Sequence, residues 1–320
     1  MGVLVLSEAD VRKLLPMEDC IEVMAEALAA LERGDVSMPL RSVFRPPDAG
    51  SLMGLMPAHR AEAAYGLKAI CIFPGNPARG LDAHQGAVLL FDGETGELRA
   101  AMNASAITEV RTAAVSGVAA RLLARDDARE LAILGAGVQA RSHLTAMGAV
   151  REFERVRIWS RTPEHARALA QEVGAEAVAS AEEALAGADV VCTTTTAAEP
   201  IVRLEWLAPG AHVNAVGSSI PTTRELDTAT MAAASLFVDR RESTLNESGD
   251  YLLAAAEGAI GPEHIRAELG ELLTGKAKGR TSDDELTVFK SLGLAAEDLA
   301  AAERLYDRAR EDGTGTEVEL

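Results

Sequence analysis

The chain has 320 residues, 48% of them hydrophobic and 25% charged, and a formal net charge of −18. That length can bury a sizeable core and predicts two domains. The negative charge argues against nucleic acid or an anionic membrane as partner, so an anionic substrate has to be caught by local cations rather than by the overall field.

Cys20, Cys71 and Cys192 lie in apolar runs without CxxC or metal-ligand spacing, and read as reduced core residues of a cytoplasmic protein. Met1 to Leu6 lacks the basic start and the length of a secretory signal, and no apolar stretch reaches the ~20 residues that span a bilayer, so a soluble protein is expected. No internal repeat is visible.

Ser7 caps a short helix, and Pro16 opens a longer one with Ile21, Met24, Leu28 and Leu31 on its apolar face, stopped by Gly34. Extended segments are expected over 64–73 and 86–91. The turn Asp92-Gly93-Glu94-Thr95-Gly96 then leads into a further one over 97–102. A helix over about 107–124 feeds the next segment.

There, Leu131-Ala132-Ile133-Leu134-Gly135-Ala136-Gly137-Val138-Gln139-Ala140 has the form of a dinucleotide-binding turn. Gly135 and Gly137 allow a tight turn and close approach to a pyrophosphate. A helix starting near Val138 points free N–H groups at that anion, and Ala140 takes the small position where helix packs on strand. Such a turn alone is weak. Its context strengthens it, because β-type runs follow at 156–162, 189–194, 211–217 and 235–239 with helical stretches over 163–173 and 181–186. Alternation of this kind predicts a parallel, doubly wound sheet with ligands at the carboxyl ends of its strands.

The first of those runs, the second strand counted from Leu131, ends in Trp159-Ser160-Arg161-Thr162, where an NAD site usually places Asp or Glu against the ribose 2′-hydroxyl. A guanidinium matches a 2′-phosphate, and the hydroxyls of Ser160 and Thr162 add donors. NADP(H) is therefore the expected cofactor, with NAD(H) also admissible.

A last helix over about 294–310 is long enough to return to the first domain, with substrate in the cleft, and 313–320 reads as a loose polar tail. The expected division is 1–117 plus 294–320 as a substrate-binding and dimerisation domain and 118–293 as the dinucleotide-binding domain. The fold class is α/β, a Rossmann sheet inserted in a mixed α+β domain.

Several ordered blocks carry a resemblance that covers nearly the whole chain. They are Leu55-Met56-Pro57-Ala58, the segment from His84-Gln85-Gly86 to Phe91, Ile107-Thr108 with Arg111-Thr112-Ala113-Ala114, the glycine turn, the segment from Pro209-Gly210 to Val216-Gly217, Glu247-Ser248-Gly249-Asp250, and Thr287-Val288-Phe289-Lys290-Ser291-Leu292-Gly293. The chain resembles the ornithine cyclodeaminase and mu-crystallin family, and its second Rossmann strand looks like the NADPH-binding mu-crystallin branch.

The resemblance implies a homodimer, joined through the sheets of the first domain, acting on small α-amino or α-imino acids. Arg45, Lys68 and Arg111 match the family's substrate-binding basic residues, with Met56 beside them. A planar carboxylate is fixed by such cations, and a buried charge without a partner is expensive, which favours Lys68 and Arg111 as ligand-holding groups. The cofactor set expected is Gly135, Gly137, Val138, Gln139, Ser160, Arg161, Thr162, Thr195, Val216, Ser218 and Leu292.

The chain departs from cyclodeaminases where their catalytic Asp is replaced by Ser219, in Gly217-Ser218-Ser219-Ile220-Pro221, and where their glutamate before Leu-Met-Pro is Gly54. Without those carboxylates, ornithine cyclisation lacks its base. The reading becomes NAD(P)H-dependent reduction of a cyclic 2-ketimine carboxylate such as Δ1-pyrroline-2-carboxylate or Δ1-piperideine-2-carboxylate. Lys68 assists protonation of the imine nitrogen, and Ser219 orients it, directly or through water. The alternatives are reductive amination of an alanine-dehydrogenase or N-alkyl amino acid dehydrogenase type, a cyclodeaminase, and a non-enzymatic NADPH-binding protein. His84 and His212 read as structural, and no metal is expected.

Overall fold

A computed structural model describes residues 2–319. The chain begins with β1 (Val3–Leu6), α1 (Glu8–Leu14) and α2 (Met17–Arg33), continues through β2 (Val36–Ser37), β3 (Ser42–Phe44), β4 (Leu52–Arg60), β5 (Ala64–Ile72), β6 (His84–Asp92) and β7 (Leu98–Asn103), and enters α3 (Ala104–Leu123). The central part runs β8 (Glu130–Leu134), α4 (Val138–Val150), β9 (Arg155–Trp159), α5 (Pro163–Val173), β10 (Glu176–Ala177), α6 (Ala181–Leu185), β11 (Val190–Thr193) and β12 (His212–Ala215). It continues with α7 (Thr228–Ala233), β13 (Ser235–Val238), α8 (Arg241–Glu247), α9 (Gly249–Ala256), β14 (Ile265–Glu268), α10 (Leu269–Leu273) and β15 (Thr287–Lys290); α11 (Ala295–Asp312) and β16 (Thr316–Val318) close the chain. Residues 2–111 with 293–319 form one compact unit and 112–292 another, so α3 carries the chain from the first to the second.

The sheet of the first unit has the order β16-β1-β7-β6-β5-β4-β2, with β3 also on β4. Its strands are antiparallel apart from the parallel pair β1 and β7. Met56, Ala58, Ile70, Val88 and Leu90 are buried on one face, against which α11 lies. Sequence alone marks 55–58 as a motif and not as a strand, because Pro57 interrupts the pattern. The register explains its tolerance: β3 pairs with Met53 to Leu55 and β2 with His59 and Arg60, so Pro57 faces a gap where no ladder bond is needed.

The tail expected to be loose is instead partly ordered. Thr316, Glu317 and Val318 pair antiparallel with Val5, Leu4 and Val3. Gly313, at φ +66°, ends α11, and Gly315, at φ +100°, lies where a Cβ would crowd Leu6 and Leu4.

The second unit is built on an eight-stranded sheet of order β10-β9-β8-β11-β12-β15-β13-β14, parallel at every pairing. Strands buried on both faces read as continuous apolar runs, as Leu131 to Leu134 and Val190 to Cys192 do. From β8 the chain winds out to β9 and β10 and returns to β11 on the other side. The order therefore reverses between β8 and β11, the switch point at which doubly wound sheets open a ligand crevice. No described helix is long and apolar enough to cross a membrane.

Candidate functional site

In the second unit the glycine turn stands at that switch point, directly after β8. Gly135 adopts φ +124°, and a Cβ there would come within 2.5 Å of Thr194 Oγ1 and 2.9 Å of Thr194 O. Only glycine fits where the backbone must turn left-handed against the end of β11. The Gly135 N–H donates to Trp159 O at 2.8 Å, which fastens the turn to the end of β9. Gly137 is the N-cap of the 13-residue α4 and no side chain caps that helix, while a Cβ on Gly137 would meet nothing within 4 Å. Open amides and open space at a helix start fit a pyrophosphate. Behind them Ala140 is fully buried.

The other expected cofactor residues follow the same edge. Ser160, Arg161 and Thr162 follow β9, Thr195 follows β11, Val216 and Ser218 follow β12, and Leu292 follows β15. Arg161 is exposed and makes no ion pair among the described residues, whereas Arg141, Arg155 and Arg167 are paired with Glu172, Glu176 and Glu164. Ser218 is buried, and its hydroxyl donates to Thr223 O. Ser219 is half-buried in the loop after β12.

The sequence does not point to Glu225, yet that carboxylate organises this edge. One oxygen accepts from Thr193 Oγ1 at 2.6 Å and Gly217 N at 2.7 Å, the other from Thr195 N at 2.8 Å and Thr195 Oγ1 at 2.7 Å. Burial raises its pKa, Lys290 opposes that, and Asp250 adds to it. It binds the segments after β11 and β12 together.

In the first unit, Lys68 and Arg111 are brought to one place. Lys68, 3% exposed, points from the middle of β5 to the buried face, with Met56 as its register partner on β4. Its Nζ lies 2.7 Å from Asp298 Oδ2. Arg111, on α3, directs Nε to Asp298 Oδ1 at 3.2 Å and Nη1 to Glu297 Oε2 at 2.9 Å. Two glycines permit the arrangement. A Cβ on Gly66 would sit 3.0 Å from Leu299 Cδ1, so α11 can press onto β5, and one on Gly293, at φ +78°, would collide with the Arg111 guanidinium.

Glu297 and Asp298 already pair with these buried cations, so burial of the charges does not by itself require a ligand. Both acids lie on the inner face of an alanine-rich helix start, Leu294-Ala295-Ala296-Glu297-Asp298-Leu299, and that unusual placement is the signal that could have found them. Arg45 is not brought to this cluster; it is exposed just past β3. Arg41 is the third cation instead, with Nη2 donating to Gly293 O at 3.2 Å and its charge acting on Lys68. Burial pulls the Lys68 pKa down to about 8, Asp298 works against that, and Arg111 and Arg41 reinforce it. His84 is exposed at the start of β6, with Ser105 Oγ bonded to its carbonyl.

His212 is buried within β12, hydrogen-bonded to Thr287 and Asn214. Among the described residues, no group of three or more His, Cys, Asp or Glu is placed to hold a metal.

An open glycine turn at a Rossmann switch point in one unit thus accompanies, in the other, a buried, acid-braced pair of cations carried by β5 and α3. The sequence model of the ornithine cyclodeaminase/mu-crystallin family matches residues 2–313. The chain belongs to that family. The ketimine reductase mu-crystallin of Mus musculus is 44% identical over 277 residues, 86% of either chain. The Δ1-pyrroline-2-carboxylate reductase of Thermococcus litoralis, solved with NADH and L-proline, is 38% identical with a TM-score of 0.95, over 99% of this chain and all of that one. An archaeal alanine dehydrogenase dimer with bound NAD superposes over the full length of both chains with a TM-score of 0.94 at 32% identity. The α/β fold with its inserted Rossmann sheet is the fold of these family members.

Proposed function

We propose that the protein is an NAD(P)H-dependent oxidoreductase that reduces cyclic 2-ketimine carboxylates, Δ1-pyrroline-2-carboxylate or Δ1-piperideine-2-carboxylate, to L-proline or L-pipecolate. The observation that carries this reading is the buried Lys68–Arg111 pair with Lys68 held at about 8. An iminium accepts hydride far more readily than a neutral imine, so a donor that titrates near neutral pH beside an anion anchor suits this chemistry. Arg111, with Arg41 in place of the expected Arg45, holds the substrate carboxylate. Lys68 gives its proton to the imine nitrogen, Ser219 orients that nitrogen, and Met56 borders the ring. A bound dihydronicotinamide supplies the hydride to C2.

NADPH is the preferred cofactor in this reading, because Arg161 is exposed and makes no ion pair among the described residues where a carboxylate would otherwise select NAD. NADH remains usable. The unit of residues 2–111 and 293–319 holds substrate and dimerises: Phe44, Met53, Tyr65 and Phe73 are exposed apolar side chains of its sheet region, and a homodimer covers them. Free Cys20, Cys71 and Cys192 support a cytoplasmic location.

The likeness to an alanine dehydrogenase favours one second reading, reductive amination of an open 2-keto acid. NADPH and NADH oxidation measured with five- and six-membered ketimines against pyruvate plus ammonia or methylamine separates the two. Turnover of cyclic ketimines at least ~10-fold above the open pairs is the expected result, and the reverse order would replace the proposal. NADPH binding without turnover of either class would leave a binding protein. Release of proline and ammonia from ornithine would restore the cyclodeaminase reading, despite Ser219 and Gly54.

A further inference from the structure

The sequence reading assigns nothing to Asp298, and the proposed reduction has no use for a carboxylate as acid or base. Its position is nonetheless tightly held. Asp298 is 1% exposed in the first turn of the 18-residue α11, where the helix dipole favours a negative charge. Its two oxygens face two different cations, Oδ2 the Lys68 ammonium and Oδ1 the Arg111 guanidinium. The close packing of Leu299 over Gly66 fixes how far the helix stands from the strand that carries Lys68.

We propose that Asp298 is a positioning residue for the reduction: one carboxylate clamps the Lys68 ammonium and the Arg111 guanidinium side by side and keeps Lys68 charged until its proton is transferred. The inference rests on the ketimine-reductase reading and gives that site its electrostatic balance. Arg41, Lys68 and Arg111 contribute three positive charges, and Glu297 and Asp298 two negative ones. The sum is +1, which one substrate carboxylate neutralises. An ammonium has three N–H donors, so a bond to Asp298 leaves two to turn toward substrate.

In the transfer, an Nζ–H bond of Lys68 breaks and an N–H bond to the imine nitrogen forms, while C2 accepts the hydride and its electron pair. Lys68 is left neutral and regains its proton from water. The charged groups around Lys68 are Asp298 and Glu297 on α11, Arg111 on α3, Arg41 before β3 and His84 on β6, with the Cys20 thiol of α2 beside Arg111. Of these only the two acids favour the ammonium. With Asp298 neutralised, burial and the neighbouring guanidinium groups take the proton from Lys68 at a lower pH.

The test compares wild type, Asp298→Asn and Asp298→Glu. The alkaline limb of kcat/KM for Δ1-pyrroline-2-carboxylate should move down by about one pH unit in Asp298→Asn, with kcat reduced about tenfold, and return most of the way in Asp298→Glu. The substrate's own titration is common to all three, so the displacement belongs to the enzyme. The Lys68 13Cε resonance of the cofactor-free protein, followed against pH, should titrate near 8 in wild type and lower in Asp298→Asn. If both the limb and that resonance are the same in wild type and a folded Asp298→Asn, the proposal is overturned. A wild type that reduces no cyclic ketimine sinks the functional reading alone, and the Lys68 titration then decides the role of Asp298. Should Asp298→Asn fail to fold, the same resonance in Asp298→Glu decides: a midpoint kept near the wild-type value supports the clamp, and a midpoint that falls as far as an unpaired buried lysine's overturns it.

Discussion

Lys290 Nζ lies 2.9 Å from Asp250 Oδ2 in the second unit, and neither side chain has any exposure. The other Asp250 oxygen accepts from Glu225 N at 2.8 Å and Leu226 N at 3.0 Å, and Glu225 in turn holds Thr195 and Gly217. The end of β15 is thereby linked to the segments after β11 and β12. Deleting one partner of such a pair leaves the other charge buried and uncompensated, at about 3–5 kcal/mol. Lys290→Met should lower unfolding stability by that amount in urea titrations and weaken NADPH binding with it. A loss below about 1 kcal/mol would show the pair to be dispensable.

Arg161→Asp should move cofactor choice from NADPH toward NADH. A hydrogen bond to a charged group contributes about 1.5–3 kcal/mol, roughly a 10- to 150-fold change, and the introduced carboxylate adds repulsion of the 2′-phosphate and an acceptor for the 2′-hydroxyl. The ratio of kcat/KM for the two cofactors measures it. An unchanged ratio would mean that Arg161 reads neither ribose.

Much of this was legible in the sequence, for identifiable reasons. The second unit could be read strand by strand because a buried parallel sheet needs unbroken apolar runs such as Leu131 to Leu134, and its turn needs glycine at 135 and 137. The first unit was harder. Its strands alternate, Pro57 interrupts the sequence pattern of a β4 that runs unbroken from Leu52 to Arg60, and β16 has three exposed residues whose only signal is their pairing with β1. At the substrate cluster, lysine and arginine within apolar segments drew notice, but the acids that brace them sit on a helix more than 180 residues away in sequence from Arg111. Arg45 is the expected third cation, but the fold leaves it exposed and brings Arg41 to Gly293 and Lys68 instead, a placement that no spacing encodes. Glu225 was invisible because its role is to accept backbone and hydroxyl hydrogens from Thr193, Thr195 and Gly217, which no spacing encodes.

Two buried histidines predict acid sensitivity. His143 sits between Ser116 Oγ at 2.9 Å and Gln139 O at 2.7 Å, and burial pushes its pKa down to about 4. In His212, burial and then the charge of Arg280 push it to about 3. The unfolded chain protonates these rings near 6.5 and the folded one does not until pH 4 or below. The unfolded state therefore binds more protons below about pH 6.5, and stability is lost as pH falls, by up to ~1.4 kcal/mol per unit for each ring. Carboxylates held low, such as Asp92 and Glu285 at about 2, add their share at more acid pH, while His84, held low, and Glu225 and Glu303, held high by burial, are common to wild type and variant, so across the window from 6.5 to 5 the comparison with His143→Gln assigns the histidine share. Urea midpoints should fall across that window, less steeply in His143→Gln. Equal midpoints at pH 7 and 5 would contradict both assignments.

Arg111→Ala should raise KM for the ketimine and lower kcat together, since the lost group anchors the substrate carboxylate and orders Asp298. Truncating one member of a buried charged pair costs about 2–5 kcal/mol, a loss in kcat/KM of roughly 30-fold to several thousandfold. Part of the effect will be on stability, because Glu297 and Asp298 are left with one fewer cation. Arg111→Lys separates the contributions. It keeps the charge near Glu297 and Asp298 but loses the planar fork, so it should recover most of the stability and little of the KM. NADPH affinity, measured by fluorescence without substrate, should stay within about twofold in both variants, because every residue assigned to the cofactor belongs to the other unit. If Arg111→Lys binds and turns over substrate like wild type, the guanidinium is a structural brace and the carboxylate anchor lies elsewhere.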